Sequence, residues 1–227
     1  MNVTVIIPVY NEVKTLKAIL EKIHEVGVAS EILIVDDGST DGTRALYNAL
    51  DGNNNVRVIL HKNNMGKGAA VRTGIENAKG DILIIQDADL EYNPQDYPAI
   101  LEPILTDQAD VVYGSRFLGS DTQDFLFLSK IANRFLTFVT NLLYRNSLSD
   151  METCYKAFRR DIVKDITFKS RRFEFEPEFT AKILKRNIHI LEVPISYNPR
   201  GYSEGKKISV WDGLESLWTL IKYRFVE

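Results

Sequence analysis

The sequence predicts an α/β fold, a mostly parallel, Rossmann-like sheet flanked by helices and closed by a carboxyl-terminal amphipathic helix. Three observations predict it. Short β-branched apolar runs at 3–9, 31–35, 56–60 and 82–85 are bounded by polar residues or glycine, as strands buried on both faces are. Helical patterns fall between them, at about 12–26, 41–50, 66–78 and 94–104. The alternation repeats four times, which is the mark of a doubly wound sheet.

Each element has a local reason. The first run leads into Pro8-Val-Tyr-Asn-Glu12, and the second ends in Asp36-Asp-Gly-Ser-Thr-Asp41, where Asp41 reads as an amino-terminal helix cap. The third helix opens at Asn64-Met-Gly-Lys-Gly68. The fourth run, Asp81-Ile-Leu-Ile-Ile-Gln86, gives way to Asp87-Ala88-Asp89-Leu-Glu91, and Asn93 caps a helix that has Pro94 at its first position. After Val111-Val-Tyr-Gly-Ser-Arg116 the character changes. A segment at 125–144 is rich in Phe and Leu, followed by a strand around 153–158, a helix around 175–186 and a strand at 188–195. A polar loop at 198–207 then leads to an amphipathic helix at 210–225. No linker or repeat divides the chain, so 1–227 reads as one domain, with a ligand-binding half at 1–116, a second half at 117–209 and the last helix at 210–227.

Bulk properties exclude several classes. With 44% hydrophobic and 26% charged residues the chain can bury an ordinary globular core. A net charge of −3 gives no basic field for nucleic acid. The single cysteine, Cys154, fits a reducing compartment and a buried small hydrophobe, and the scattered His24, His61 and His189 do not suggest zinc. The amino terminus lacks a basic n-region, and no apolar stretch reaches membrane-spanning length. The expectation is a cytoplasmic protein, with contact at a membrane surface left open.

The chemistry is expected at the carboxyl ends of the strands. Asp87, Asp89 and Glu91 stand just past a buried run, where open α/β sheets place their ligands. Closely spaced carboxylates suit a hard divalent cation such as Mg²⁺, bound through one or two of them together with substrate phosphates. The ends of the first and second strands bring Glu12, Asp36 and Asp37 to the same edge, with Tyr10 offering a ring face to a base. Gly66-Lys67-Gly68 is no P-loop, yet it could meet a diphosphate through backbone N–H groups and one positive charge.

Taken in order, Pro8-Val-Tyr-Asn-Glu12, Val35-Asp-Asp-Gly-Ser-Thr-Asp-Gly-Thr43, Asn64-x-Gly-Lys-Gly68, Asp87-Ala-Asp89, Gly114-Ser-Arg116 and Gly205-Lys-Lys207 resemble the family 2 inverting glycosyltransferases of GT-A fold. The likeness is greatest to the dolichyl-phosphate mannose synthases and their bacterial polyprenyl-phosphate relatives. It implies that Pro8, Tyr10, Glu12, Val35 and Asp37 hold the nucleoside, with Asp37 on the base. It also implies that Asp87, Ala88 and Asp89 serve the donor diphosphate and a Mg²⁺ or Mn²⁺ ion. Glu91 stands where those synthases tend to have Gln, so its added charge bears on metal preference. Arg116, Lys182, Arg200 and Lys206 match the family's basic residues around the donor and acceptor phosphates.

The implied reaction is transfer of a hexose from a nucleotide sugar, of GDP-mannose or UDP-glucose type, to a polyprenyl or dolichyl phosphate. Inversion means direct displacement. A phosphate acceptor is already ionised near neutral pH and calls for cationic clamps rather than a base. Arg116, Arg134, Arg200, Lys206 and Lys207 are candidates, and the 200–207 loop could close over the donor. The alternative is a soluble enzyme acting on a hydroxyl, with a base drawn from Asp150, Glu174, Glu176 or Glu178; in the first reading the last three are the solvated start of a helix. On a helix at 125–144, Lys130, Arg134, Thr137 and Asn141 form a narrow polar stripe in an apolar surface. Such a helix is buried, sits at an interface with a second copy or a membrane protein, or lies in a membrane surface with Arg134 meeting the acceptor phosphate. The last helix leaves the same choice.

Overall fold

The computed structural model describes residues 1–52, 54–119, 127–199 and 210–226. Its centre is a seven-stranded sheet in the order β3-β2-β1-β4-β6-β5-β7. The first half follows the expected alternation: β1 Val3–Val9, α1 Leu16–Val26, β2 Glu31–Asp36, α2 Tyr47–Leu50, β3 Val56–Leu60, α3 Lys67–Asn77, β4 Ile82–Ile85 and α4 Tyr97–Leu105. The second half supplies β5 Val111–Ser115, α5 Phe127–Tyr144, β6 Lys156–Arg159, α6 Arg160–Val163, α7 Phe175–Lys185, β7 Ile190–Pro194 and α8 Val210–Phe225.

The strands form where β-branched residues can be covered on both faces. Ile6, Ile7, Ile32 to Val35 and Ile82 to Ile85 are all fully buried. α1 lays Leu16, Ile19, Leu20 and Ile23 on the sheet at helical spacing. α3 comes closest at Gly74, where any Cβ would strike the Ile6 side chain.

The strand expected at 153–158 is Lys156–Arg159, the one expected at 188–195 is Ile190–Pro194, and two helix starts also differ from expectation. The first helix starts at Leu16 because residues 12–15 form a turn, in which the Glu12 carbonyl accepts from Thr15 and Leu16 N–H. Asp41 is not the helix cap. Its carboxylate accepts from Thr43 N–H and from Val13 N–H at 3.1 Å, so it ties the turn after β2 to the one after β1, and Gly42 caps, without a side-chain bond, a 3₁₀ turn at Thr43–Leu46 that leads into α2. Asn93 does cap, accepting from Gln95 N–H at 3.2 Å ahead of a short 3₁₀ turn into α4.

One strand sets the geometry of the site. β6 runs antiparallel between β4 and β5, with Ile84 opposite Ala157 and Val112 opposite the same residue. The remaining strands pair in parallel, so the carboxyl ends of β1, β2, β4 and β5 share one edge. β6 begins where those strands end, which brings residues 149–155 to that edge too. The two halves of the chain are joined through this strand in a single mixed α/β domain.

Candidate functional site

At the end of β1, Pro8 and Tyr10 are half-buried, and Glu12 is held by Thr15 Oγ1 at 2.8 Å. At the end of β2 the two aspartates divide their roles. Asp36 accepts from Arg44 Nε at 2.7 Å and Tyr47 Oη at 2.9 Å. Burial pushes its carboxyl up, but hydrogen bonds from Ser39, Arg44 and Tyr47 outweigh that and hold it below the usual range. Asp37 reaches the other way, accepting from His61 Nδ1 at 2.7 Å, Met65 N–H at 2.9 Å and Gly66 N–H at 2.7 Å. It thus carries the turn into α3. Val35 lies wholly within the core, so its side chain shapes the sheet and does not reach the site edge.

The glycine turn departs from expectation. Gly66 adopts φ +97°, and a Cβ there would collide with the Arg171 carbonyl. Gly68 and Ala69 N–H donate to the carbonyls of Arg172 and Arg171. The amino terminus of α3 is therefore covered by residues 171–172, and those amides do not face a diphosphate. Only the charge remains at the edge. Lys67 Nζ lies 2.9 Å from Asp87 Oδ2 and 3.4 Å from Glu176 Oε1. Burial disfavours its charged form, yet the Asp87 carboxylate and its other anionic neighbours hold the ammonium well above its ordinary value.

Past β4 the chain turns sharply. Leu90 takes φ +65°, a left-handed conformation that costs a branched residue about 1 kcal/mol or more. The turn sets Asp89 and Glu91 side by side, with Asp89 Oδ1 accepting from Glu91 N–H at 3.2 Å and Glu91 Oε2 accepting from Tyr197 Oη at 2.9 Å. Among the described residues no group of three or more carboxylate, thiol or imidazole side chains is placed to hold a metal ion by itself. Asp87, Asp89 and Glu91 are hard oxygen donors at a strand end. Their chemistry fits Mg²⁺ or Mn²⁺ sharing its coordination with a diphosphate.

Across the edge, Arg116 follows β5 and is nearly buried. Its Nε and one terminal nitrogen meet the two oxygens of Asp150 at 2.7 and 2.8 Å, and its backbone N–H donates to the same carboxylate. The guanidinium fork thus faces Asp150, and its plane lies 5.2 Å from the Tyr197 ring centroid. Arg134, on the exposed side of α5, packs over Phe117 at 5.8 Å, and Arg116 lies 5.9 Å from the same ring. Two of the expected phosphate-binding residues therefore flank one aromatic side chain.

Lys182 belongs elsewhere. Its ammonium pairs with Glu178 at 2.6 Å, reaches the Thr167 carbonyl and sits 4.4 Å from the Tyr223 ring, so it fastens α7 to α8. Nothing brings it to Asp87 or Arg116. The expectation of a solvated acidic helix start is also corrected. Glu176 and Glu178 are buried, and Glu174 and Glu178 accept backbone N–H groups of residues 169–172, the segment that covers α3. Arg200 and Lys206, with the rest of the 200–207 loop, lie outside the described residues.

Sequence reasoning missed the floor of the site. Lys156, fully buried, pairs with Glu176 Oε2 at 2.8 Å and donates to the Met151 and Thr153 carbonyls. Cys154 is buried as expected, its thiol against Asp87 and pushed up chiefly by burial. Glu152 sits among Glu176, Lys156, Arg116 and Asp150, and burial first, then Glu176, raises its carboxyl to about 7. No local pattern marks these groups. The only hint is the polar character of Ser149, Asp150, Glu152 and Thr153 shortly before a strand.

A family model described as Glycosyl transferase family 2 matches residues 4–167. The chain is 29% identical over 235 residues to the UDP-N-acetylglucosamine–dolichyl-phosphate N-acetylglucosaminyltransferase of Methanococcus voltae, covering 95% of this chain and 93% of that protein. It is 28% identical over 230 residues to the dolichol-phosphate mannosyltransferase of Pyrococcus furiosus, covering 98% of this chain but 64% of the longer relative. Among solved structures it is similar to glucosyl-3-phosphoglycerate synthase from Mycobacterium tuberculosis, in complex with Mn²⁺, uridine diphosphate and phosphoglyceric acid. The TM-score is 0.75 at 19% identity, over 100% of this chain and 79% of that one. At that identity the likeness is one of fold, and the fold is of GT-A type.

Proposed function

Because the chain belongs to glycosyl transferase family 2 and is a glycosyltransferase, we propose that it moves a hexose from a nucleotide sugar to a polyprenyl or dolichyl phosphate, with inversion. The donor is of GDP-mannose or UDP-glucose type. The observation that carries this reading is the meeting at Tyr197 of Glu91, which lies beside Asp89, and Arg116, which shares the Phe117 ring with Arg134. Relatives whose names specify dolichyl-phosphate acceptors support the same assignment.

A divalent cation held by Asp87, Asp89 and Glu91 would supply positive charge to the departing diphosphate. The chain's own groups do the rest. Tyr10 and Pro8 frame the nucleoside, and Lys67 adds a fixed charge beside Asp87. Arg116, oriented by Asp150, and Arg134 receive the anionic acceptor, which needs no base because its oxygen is already ionised. Purified protein with Mn²⁺ or Mg²⁺ is expected to move label from a nucleotide sugar into an organic-extractable polyprenyl phosphate. Label appearing only in water-soluble products with a hydroxyl acceptor would overturn the acceptor assignment.

The acceptor class implies a membrane surface, and two helices support that reading. On α5, Ile131, Phe135, Phe138 and Leu142 form an exposed row, and on α8 so do Leu214, Trp218, Ile221 and Phe225. α5 is therefore not buried within the chain. Its Thr137 and Asn141 face inward instead, bonding Met151 N–H and the Leu148 backbone. No helix among the described residues is long and apolar enough to cross a membrane. The exposed rows suit an interfacial, peripheral contact. Phe138→Asp with Trp218→Asp is expected to weaken co-sedimentation with phosphatidylglycerol-containing vesicles about tenfold or more, with unchanged circular dichroism. Undiminished sedimentation would exclude these rows as the contact.

A further inference from the structure

The segment before β6 is held at almost every polar atom. Ser149 and Asp150 N–H donate to Glu192 at 2.7 and 2.9 Å, and Asp150 grips Arg116. Met151 N–H donates to Thr137 Oγ1 at 3.1 Å, Thr153 Oγ1 to the Gly114 carbonyl at 2.6 Å, and Cys154 N–H to Tyr92 Oη at 3.1 Å. Glu152 is the exception. Its Oε1 is sealed from solvent and accepts no hydrogen bond, although the residue keeps a partly open face. A well-held frame thus presents one desolvated, unsatisfied carboxyl oxygen.

Such a group destabilises the empty protein, because an unmatched buried acceptor keeps its full desolvation cost. A group of this kind needs a physical reason, and a role in binding or catalysis is one. The position narrows the ligand. Glu152 has as charged neighbours both Glu176, which contacts Lys67 of the Lys67–Asp87 pair, and Arg116, and so belongs to the stretch of the site that links the proposed donor side to the proposed acceptor clamp. In the proposed reaction the transferred sugar passes from the one side to the other. Glu176 and Asp150 are already paired with Lys156 and Arg116, so Glu152 is the acceptor left over, and a sugar hydroxyl donates to a carboxylate where a phosphate oxygen cannot.

We propose that Glu152 is a specificity-determining residue that accepts a hydrogen bond from a hydroxyl of the transferred sugar. This rests on the nucleotide-sugar reading above and adds the sugar contact to it. Sites built to bond a hydroxyl discriminate strongly, since a donor lacking it leaves the acceptor unpaired.

The test is calorimetric titration of wild type, Glu152→Gln and Glu152→Ala with UDP, GDP, UDP-glucose, UDP-N-acetylglucosamine and GDP-mannose, each with Mn²⁺. For the preferred donor, the ratio of affinities for nucleotide sugar and bare diphosphate is expected to fall about tenfold in Glu152→Ala and less in Glu152→Gln. Bare diphosphate affinity stays within about twofold, and the ligand-free melting temperature of Glu152→Gln rises. Equal weakening of sugar nucleotide and bare diphosphate would show a metal or scaffold role and overturn the proposal. So would an unchanged ratio, or melting lowered in both variants with that ratio intact. A wild type that binds none of the five nucleotides would overturn the donor reading itself, and this contact with it.

Discussion

Asp89→Ala is expected to lower metal-dependent sugar transfer about 100-fold or more, beyond the loss typical when a residue supporting a metal ligand is removed. Asp89 is half-buried at the end of β4, and the left-handed Leu90 directs it and Glu91 to the same edge. Its carboxylate also fixes the Glu91 amide at 3.2 Å, so alanine takes away one oxygen donor and loosens the next. The fold itself should survive, because Asp89 lies outside the hydrophobic core. The measurement is transfer rate against Mn²⁺ concentration for wild type, Asp89→Ala and Asp89→Asn. Undiminished turnover at every Mn²⁺ concentration would remove Asp89 from the metal site.

Asp150→Ala should produce the largest loss of stability, about 3–5 kcal/mol, the range for breaking a buried ion pair from one side. Asp150 is fully buried and supplies both oxygens to a nearly buried Arg116. Alanine would leave that guanidinium desolvated and uncompensated. Arg116→Met combined with Asp150→Ala should recover much of the loss, since an apolar pair avoids the stranded charge. Urea denaturation with an unchanged m-value checks the size and the recovery. A double variant no more stable than Asp150→Ala would show that the aspartate acts mainly through the Arg116 backbone amide. Donor binding by the double variant, with transfer lost, would further separate the acceptor clamp from the nucleotide site.

The strand ends were legible because charge interrupts an apolar run there. Asp87 and Asp89 follow Ile82 to Ile85 with no ambiguity of register, and Asp36-Asp37 follows Ile32 to Val35 in the same way. The acids of α7 were not legible. Glu174, Glu176 and Glu178 at a helix start look the same whether solvent or protein covers them. Residues 169–172, which cover Glu174 and Glu178, and the buried Lys156 of β6, which pairs with Glu176, decide the matter. Lys182 misled for the same reason, since a basic residue at the expected spacing gave no sign that Glu178 and Tyr223 would hold it.

The sequence by itself determined the alternation of strand and helix, the edge at which ligand groups gather, and the family. Those depend on hydrophobic period and on short motifs within one stretch of chain. Only the tertiary structure decided which charges are held and which stand open. It turned the Gly68 and Ala69 amides toward residues 171–172, gave Asp37 to the α3 turn, set Asp150 on Arg116 and left Glu152 Oε1 without a hydrogen bond. The physical reason is separation along the chain. Lys67 and Asp87 are 20 residues apart and Arg116 and Asp150 are 34 apart, and only the folded sheet brings such pairs within hydrogen-bonding distance.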